Sequence, residues 1–292
     1  MRAIDARVLL TGASGGIGRA GAQALTKAGA AVMLTGRSAE ALAALADEIR
    51  DTRPRTDVQW HDADLTRSAD IAALSAAAQA WNVNVLVNNA GQPSFGPFSE
   101  FEPAHVEQVL RTNLLAPILL THAMLPWLAR RPAANVIQVG SVLGRLALPG
   151  FSVYSAGKFG LRGFSEALRR ELAGSGVRVQ YLGPRSTRTR FNDAAVLAYN
   201  EATGTAMDEP ARVAAALVEL LESDAAERFL GFPESLAARV NGLAPTLVDG
   251  GLRRHRAALA GPRTEATRVD PAPATSESSI ESSAHRTPPS RR

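Results

Sequence analysis

The feature that most constrains this chain is a regular alternation of two kinds of segment. Short apolar runs stand at 7–12 (RVLLTG), 30–36 (AAVMLTG), 58–65 (VQWHDADL), 83–91 (VNVLVNNAG), 135–141 (NVIQVGS), 177–183 (VRVQYLG) and 228–232 (RFLGF). Longer amphipathic stretches separate them: one through about Ala28, then 38–50, 68–81, a long one near 103–130 and another at 152–173. Strands apolar on both faces are expected where helices cover both sides of a parallel sheet. Strand alternating with helix then predicts a doubly wound α/β fold in a single domain. A hydrophobic content of 46% over 292 residues supplies a core for it. The spacing leaves no room for a second domain before about residue 255, so the domain is expected over 1–260.

Residues 261–292 break the pattern. They are rich in Pro and Ser, and Val269 and Ile280 are their only branched aliphatics. Such a segment buries too little apolar surface to offset the entropy of ordering, so a disordered tail is expected. The net charge is only +4, with no basic stripe interleaved with aromatics, and no nucleic-acid partner is expected. The absence of cysteine excludes disulfides, thiolate catalysis and Cys-type zinc sites, and no metal site is expected. No apolar stretch reaches the roughly 18 residues of a membrane span, and no export segment precedes Val8. A soluble cytoplasmic protein is the expectation.

The first strand runs into LLTGASGGIGRA. Gly12, Gly16 and Gly18 lie in the turn, with Ser14 and Gly15 between and Ile17 inside the motif. Glycines there permit positive φ and close approach of backbone to a ligand. The helix that follows offers free amides and a positive dipole end to a pyrophosphate. A flexible strand-to-helix turn is the alternative. The spacing, Thr-Gly, three residues, Gly-Ile-Gly, is not the general Rossmann spacing.

The second strand ends in LTGRS. A carboxylate there would bind a ribose diol and repel a 2′-phosphate. The chain instead has Thr35 with no acid, and Arg37 follows. A guanidinium fork suits a phosphate, which favours NADP(H) over NAD(H). Arg37 as a solvated helix-start residue is the other reading. Arg19 either assists or lies on the outer helix surface. Asp64 and Leu65 close the third strand, where they could accept from and cover an adenine. Asn89, Ala90 and Gly91 follow Asn88 at the end of the fourth strand; side-chain amides can tie strands together there, and small residues leave room for a cofactor.

Four polar residues then line up: Asn113, Ser141, Tyr154 and Lys158. Ser141 ends an apolar run, at the carboxyl edge of a strand where ligands bind in open α/β sheets. Tyr154 and Lys158 in YSAGK stand at i and i+4 and share a helix face. A free phenol titrates near roughly 10, too high for efficient proton exchange at neutral pH, and a neighbouring ammonium lowers that value. Ser141 can bond a substrate oxygen while Tyr154 protonates it. Each residue alone has an ordinary structural reading; their joint spacing argues against all of those readings together.

On TGASGGIG (11–18), NNAG (88–91), Asn113, Ser141 and YSAGK (154–158), in this order and spacing, residues 7–250 resemble the short-chain dehydrogenase/reductase superfamily in its compact form. The resemblance implies Tyr154 as catalytic acid/base, and Lys158 lowering its pKa and binding the nicotinamide ribose. It implies Ser141 positioning the carbonyl and Asn113 holding a water in the proton relay. Thr187 and Thr189, after Pro184, would contact the carboxamide and pyrophosphate. It also implies a homodimer or homotetramer, and 103–130 and 152–173 have the length and apolar content to pair between subunits.

Two departures from the family stand out. Pro184-Arg185 replaces the usual Pro-Gly, adding bulk and charge beside the nicotinamide end. Residues 232–259 insert before Asp249-Gly250-Gly251 a segment with Leu236, Val240, Leu243 and Leu247 at near-helical spacing. Packing on a subunit or on the substrate entrance is the preferred reading of this segment. Peripheral membrane contact through Arg253, Arg254 and Arg256 is the other, which Pro245 weakens.

Substrate contacts are expected from 92–99, 142–153 and 190–209, which offer Phe95, Phe151, Phe191, Val196, Leu197, Tyr199 and Met207. That lining predicts a hydrophobic ketone or aldehyde, with an acyl chain among the options. Arg145, Arg185, Arg188 and Arg190 could hold a carboxylate or phosphate. An NADPH-dependent reductase, the same chemistry run as an alcohol dehydrogenase, and a non-catalytic dinucleotide-binding regulator all remain open at this point.

Overall fold

The computed structural model describes residues 1–231, 241, 242, 244, 246 and 249–260. Seven strands form one parallel sheet: β1 (Arg7–Thr11), β2 (Ala31–Gly36), β3 (Val58–Asp62), β4 (Val85–Asn88), β5 (Ala134–Val139), β6 (Val177–Gly183) and β7 (Glu227–Phe229). Their order across the sheet is β3-β2-β1-β4-β5-β6-β7. Chain direction across the sheet reverses between β1 and β4, and that switch point is where an open α/β sheet leaves a crevice for a ligand.

The helices follow the expected stretches. They are α1 (Gly16–Lys27), α2 (Ala39–Thr52), α3 (Ser68–Ala80), α4 (Pro103–Leu110), α5 (Ala116–Leu128), α6 (Ser152–Glu171), α7 (Ala194–Thr203), α8 (Pro210–Glu222) and α9 (Arg253–Ala260). Local chemistry sets several of their ends. Ser38 caps α2 by accepting from the Ala41 amide at 3.2 Å, and Asp193 caps α7 through the Val196 amide at 2.9 Å. Pro103 and Pro210 occupy the first turns of α4 and α8, where no amide is needed.

Strands buried on both faces require two helical layers. Leu25, Leu42, Leu45, Ile49, Val213, Leu217 and Leu220 cover one face, from α1, α2 and α8. Leu74, Leu120, Met124, Leu128 and Leu168 cover the other, from α3, α5 and α6. The described residues belong to one compact unit.

One expected element differs. The stretch near 103–130 is not a single regular helix: a π-helical turn, Arg111–Leu115, separates α4 from α5. Asn113 lies in it, and such turns mark places where a helix is opened to aim a side chain. Leu236, Val240, Leu243 and Leu247 of the inserted segment, and the tail at 261–292, lie outside the described residues. Among the described residues, no helix is long and apolar enough to cross a membrane.

Candidate active site

The turn after β1 is built from missing side chains. Gly12 adopts φ +64°, and a Cβ there would stand 2.8 Å from Ala90 Cα. A Cβ on Gly18 would meet the Gly12 carbonyl oxygen at 2.0 Å, and one on Gly16 would meet Thr189 Cγ2 at 2.3 Å. The turn thus closes on itself, on the end of β4 and on the loop after β6. Ser14, Gly15 and Gly16 remain exposed and Ile17 half-buried, at the start of α1, where the first amides have no intrahelical partner.

The end of β4 is tied to β1 as its amides foretold. Asn89 Nδ2 donates to the carbonyls of Thr11 at 2.9 Å and Gly12 at 3.3 Å. Thr11 Oγ1 accepts from the Asn89 and Ala90 amides, both at 2.9 Å.

At the ends of β2 and β3, Arg37 is exposed and Leu65 packs partly buried on the core. Asp64 Oδ1 accepts from the amide and hydroxyl of Thr66, at 2.9 and 2.7 Å. Those bonds, helped by the charges of Arg37 and Arg67, hold the Asp64 carboxyl below its ordinary range against the opposing effect of burial. The Arg37 charge therefore reaches Asp64. Arg19 is paired with Glu48 of α2, which is the outer-surface alternative for that residue.

The carboxyl ends of β4 and β5 and the first turns of α6 bring the four polar residues together. Ser141 follows β5, and its Oγ accepts from the Leu143 amide at 3.0 Å. The Ser141 side chain acts on the Tyr154 hydroxyl, holding its pKa below what burial alone would give. One turn along α6, Lys158 is only 4% exposed, and its Nζ lies 5.7 Å from the centre of the Tyr154 ring. Asn113 is fully buried; its Oδ1 accepts from the Gln92 amide at 2.7 Å and its Nδ2 donates to the Gln92 carbonyl at 2.8 Å. A Cβ on Gly91 would stand 3.3 Å from Asn113 Oδ1 and 3.8 Å from Lys158 Nζ. Asn113 therefore buttresses the loop after β4 against the lysine.

One electrostatic expectation needs correcting. Lys158 was expected to lower the Tyr154 pKa. Burial instead pushes that phenol up to about 12, with the Ser141 side chain offsetting part of the rise. The ammonium donates to the Val139 carbonyl at 3.1 Å, and burial pushes Lys158 down to about 8. Desolvation is the largest cause of both shifts.

The Arg185 guanidinium has a buried partner. It pairs at 2.9 Å with Asp208, 3% exposed, which also takes Arg212 at 3.0 Å. Asp208 is bonded along its backbone to the loop after β6: its amide donates to Ser186, and its carbonyl accepts from Arg188. The bulk of Arg185 thus anchors the loop that carries Thr187 and Thr189. The buried Pro184 accepts from the Val142 amide at 2.8 Å, linking that loop to the Ser141 turn. Arg145 and Arg188 are also paired, with Glu227 and Glu209. Arg190 is exposed.

Above Tyr154 stands an aromatic wall. Phe95 and Phe151 are 4.8 Å apart between ring centres, and Tyr199 is 4.9 Å from Phe95. Tyr154 lies 6.4 Å from Phe151 and 6.0 Å from Phe191. Val196 is buried in α7, Leu197 is exposed and Met207 half-buried. Sequence reasoning missed His255: its Nδ1 shares a 2.7 Å hydrogen bond with the Tyr199 hydroxyl, so α9 packs behind the wall. No motif marks it, and only the amphipathic character of 232–259 hinted that this segment reaches the entrance.

Comparison with known proteins agrees with this geometry. The family model for short chain dehydrogenases matches residues 6–200. The dehydrogenase/reductase SDR family member 7B of Bos taurus is 34% identical over 83% of this chain and 79% of its own. A short chain dehydrogenase/reductase from Burkholderia phymatum in complex with NAD superposes with a TM-score of 0.75, at 25% identity over 83% of this chain and 94% of that one. An NADPH-bound short chain oxidoreductase from Pseudomonas aeruginosa gives a TM-score of 0.68, at 26% identity over 74% and 90%. With the parallel sheet, the closed glycine turn and the Ser141, Tyr154 and Lys158 cluster in place, the chain belongs to the short-chain dehydrogenase/reductase family of oxidoreductases.

Proposed function

We propose that this oxidoreductase uses NADP(H) and reduces a hydrophobic ketone or aldehyde to the alcohol. The observation that carries the reading is the cluster of Ser141 and Tyr154, with Lys158 buried one turn away.

The residues present fit the dinucleotide, because the turn leaves no volume for side chains at Gly12, Gly16 and Gly18. Ser14, Ile17 and the amides of α1 would take the pyrophosphate, with Thr189 beside them. Arg37 would take the 2′-phosphate, and Asp64 and Leu65 the adenine. Asn89, Ala90 and Gly91 would line the ribose and nicotinamide path, Lys158 would meet the nicotinamide ribose, and Pro184 and Thr187 the carboxamide. The nicotinamide supplies the hydride.

The protein's own part is the proton and the oxygen. Ser141 and Tyr154 offer two hydroxyls to a carbonyl oxygen as it gains negative charge. Tyr154 then gives up its proton to that oxygen. A phenol pushed up to about 12 carries its proton at neutral pH before a carbonyl binds. The Lys158 ammonium stabilises the phenolate left behind, a role the resting pKa does not express. Asn113 holds the loop after β4, and a relay water is proposed at its backbone. Phe95, Phe151, Phe191 and Tyr199 support an apolar substrate. Exposed Leu115, Leu119 and Phe159, on the helical stretches 111–128 and 152–171, support association with a second copy.

The test is a carbonyl panel of ketoacyl thioesters, long-chain ketones and aromatic aldehydes, followed by NADPH absorbance. Turnover of at least one apolar member, faster with NADPH than with NADH, is expected. NADPH binding without turnover of any member would favour the regulator instead.

A further inference from the structure

The active-site serine is held from behind by a second tyrosine. Tyr181 lies in β6, beside Gln138 of β5, and is 2% exposed. Its hydroxyl accepts from the Ser141 amide at 3.1 Å and donates to the Ser141 carbonyl at 3.1 Å. The neighbouring amides have backbone partners: Gly140 donates to Leu182 at 2.7 Å and Val142 to Pro184 at 2.8 Å. The Ser141 carbonyl also accepts from the Gly144 amide at 3.0 Å, so the Ser141 amide is the group that depends on the phenol. A buried amide without a partner is destabilising, so the phenol determines which backbone position Ser141 can keep.

The surroundings are shaped to admit this ring. A Cβ on Gly140 would lie 2.0 Å from the Tyr181 hydroxyl oxygen, and one on Gly144 2.2 Å from it. The two glycines bracketing Ser141 thus leave the niche that the phenol fills. A Cβ on Gly144 would also lie 2.8 Å from the Lys158 carbonyl, so the niche adjoins the turn of α6 that carries the lysine. Behind, the Tyr181 ring packs on Phe229 with centres 5.7 Å apart. The ring therefore cannot withdraw without opening the contact between β6 and β7.

We infer that Tyr181 is a positioning residue for the reaction: it fixes the Ser141 backbone, and through it the direction of the Ser141 hydroxyl toward Tyr154. The inference rests on the reductase reading for its kinetic consequence, and on geometry alone for its structural one.

The experiment has one arm for each. Hydrogen exchange at the Ser141 amide, resolved by NMR, reports the anchor without any substrate. In the wild-type protein this amide exchanges as slowly as Val136 in β5. Exchange as fast as an exposed turn amide would overturn the inference. Tyr181→Phe keeps the ring in its niche and removes only the hydroxyl; it speeds exchange at Ser141 by at least tenfold, while Val136 changes no more than global stability requires. Equal acceleration at both amides would make Tyr181 a merely structural residue.

In the kinetic arm, NADPH oxidation with 4-nitrobenzaldehyde is measured for Tyr181→Phe, Ser141→Ala and the double variant. Tyr181→Phe lowers kcat by about ten- to a hundredfold with the NADPH KM unchanged, the scale expected for a misplaced catalytic group. The same change in the Ser141→Ala background has no further effect, because the group it positions is gone. Equal losses in both backgrounds would show that Tyr181 does not act through Ser141. If Ser141 is slow to exchange but Ser141→Ala leaves wild-type turnover intact, the anchor stands and the assigned role of Ser141 fails.

Discussion

The two halves of the sheet are built on opposite principles. From β1 to β3 the ligand surface is made by removing side chains: Gly12, Gly16 and Gly18 expose backbone, and their neighbours close to within contact. From β5 to β7 it is made by burying polar side chains, Ser141, Lys158 and Tyr181, around the half-buried Tyr154, all drawn from positions far apart in the chain. The first principle yields a generic cradle that tolerates no added atom. The second places ionisable groups where burial opposes their charge, and accepts instability for reactivity.

The sharpest break between the halves is at Tyr154. Tyr154→Phe removes the proton donor and nothing from the cradle. We expect kcat to fall by about a thousandfold with the NADPH dissociation constant unchanged, measured by stopped-flow turnover and fluorescence titration. A comparable loss of binding would mean that the halves are not separable.

Lys158 comes next, and it tests the claim that burial there costs stability. Its folded pKa of about 8 lies below the ordinary 10.5. Between those values the unfolded chain binds more protons, so stability attributable to this residue rises as pH climbs through that window. Below it, the buried charge costs about 3 kcal/mol. Lys158→Met leaves the Val139 carbonyl without its donor, a loss of about 1 kcal/mol. Turnover is expected to fall by about a hundredfold, while Tm at neutral pH rises. A lower Tm would refute the account. In the wild type, reduction falls as pH rises through about 8, where the ammonium is lost, well before Tyr154 titrates near 12.

The same contrast explains what could be read in advance. The strand series was legible because both faces of the central strands are apolar, and the glycine turn because its spacing is local. Ser141, Tyr154 and Lys158 were legible because residue type and spacing together name a chemistry. The π-helical turn at Asn113 was not, since the apolar pattern runs through 103–130 without a Gly break and Asn113 alone does not demand one. The resting pKa of Tyr154 was misjudged because sequence shows a charged neighbour but not how far each group is desolvated. The Arg185 and Asp208 pair, and the Tyr199 and His255 pair, join residues distant in sequence, and no local pattern records such a contact.

Gly18 probes the cradle itself. Gly18→Ala would set a methyl 2.0 Å from the Gly12 carbonyl oxygen, a backbone atom that cannot swing aside. The turn must open. A loss of about ten- to a hundredfold in NADPH affinity is expected, with kcat at saturating NADPH nearly kept, the signature of lost uniform binding. If kcat collapsed while affinity held, the cradle would be part of the chemical half.

The smallest effect belongs to Arg37, and it asks whether the cradle carries any specificity beyond its shape. The guanidinium is exposed at the end of β2, and its field reaches Asp64. Attraction to a 2′-phosphate at such a site is screened by salt, so the effect is limited. Arg37→Ala should lower kcat/KM for NADPH about tenfold relative to NADH, less at high salt, leaving the NADH value unchanged. Asp64 is the internal control. Losing Arg37 removes one of the charges that hold its carboxyl down, so its pKa should rise in the variant, by NMR titration. A risen Asp64 pKa with an unchanged cofactor ratio would show that Arg37 acts on the protein and not on the phosphate. Cofactor choice would then reside in the turn itself, where Ser14 is an exposed polar side chain.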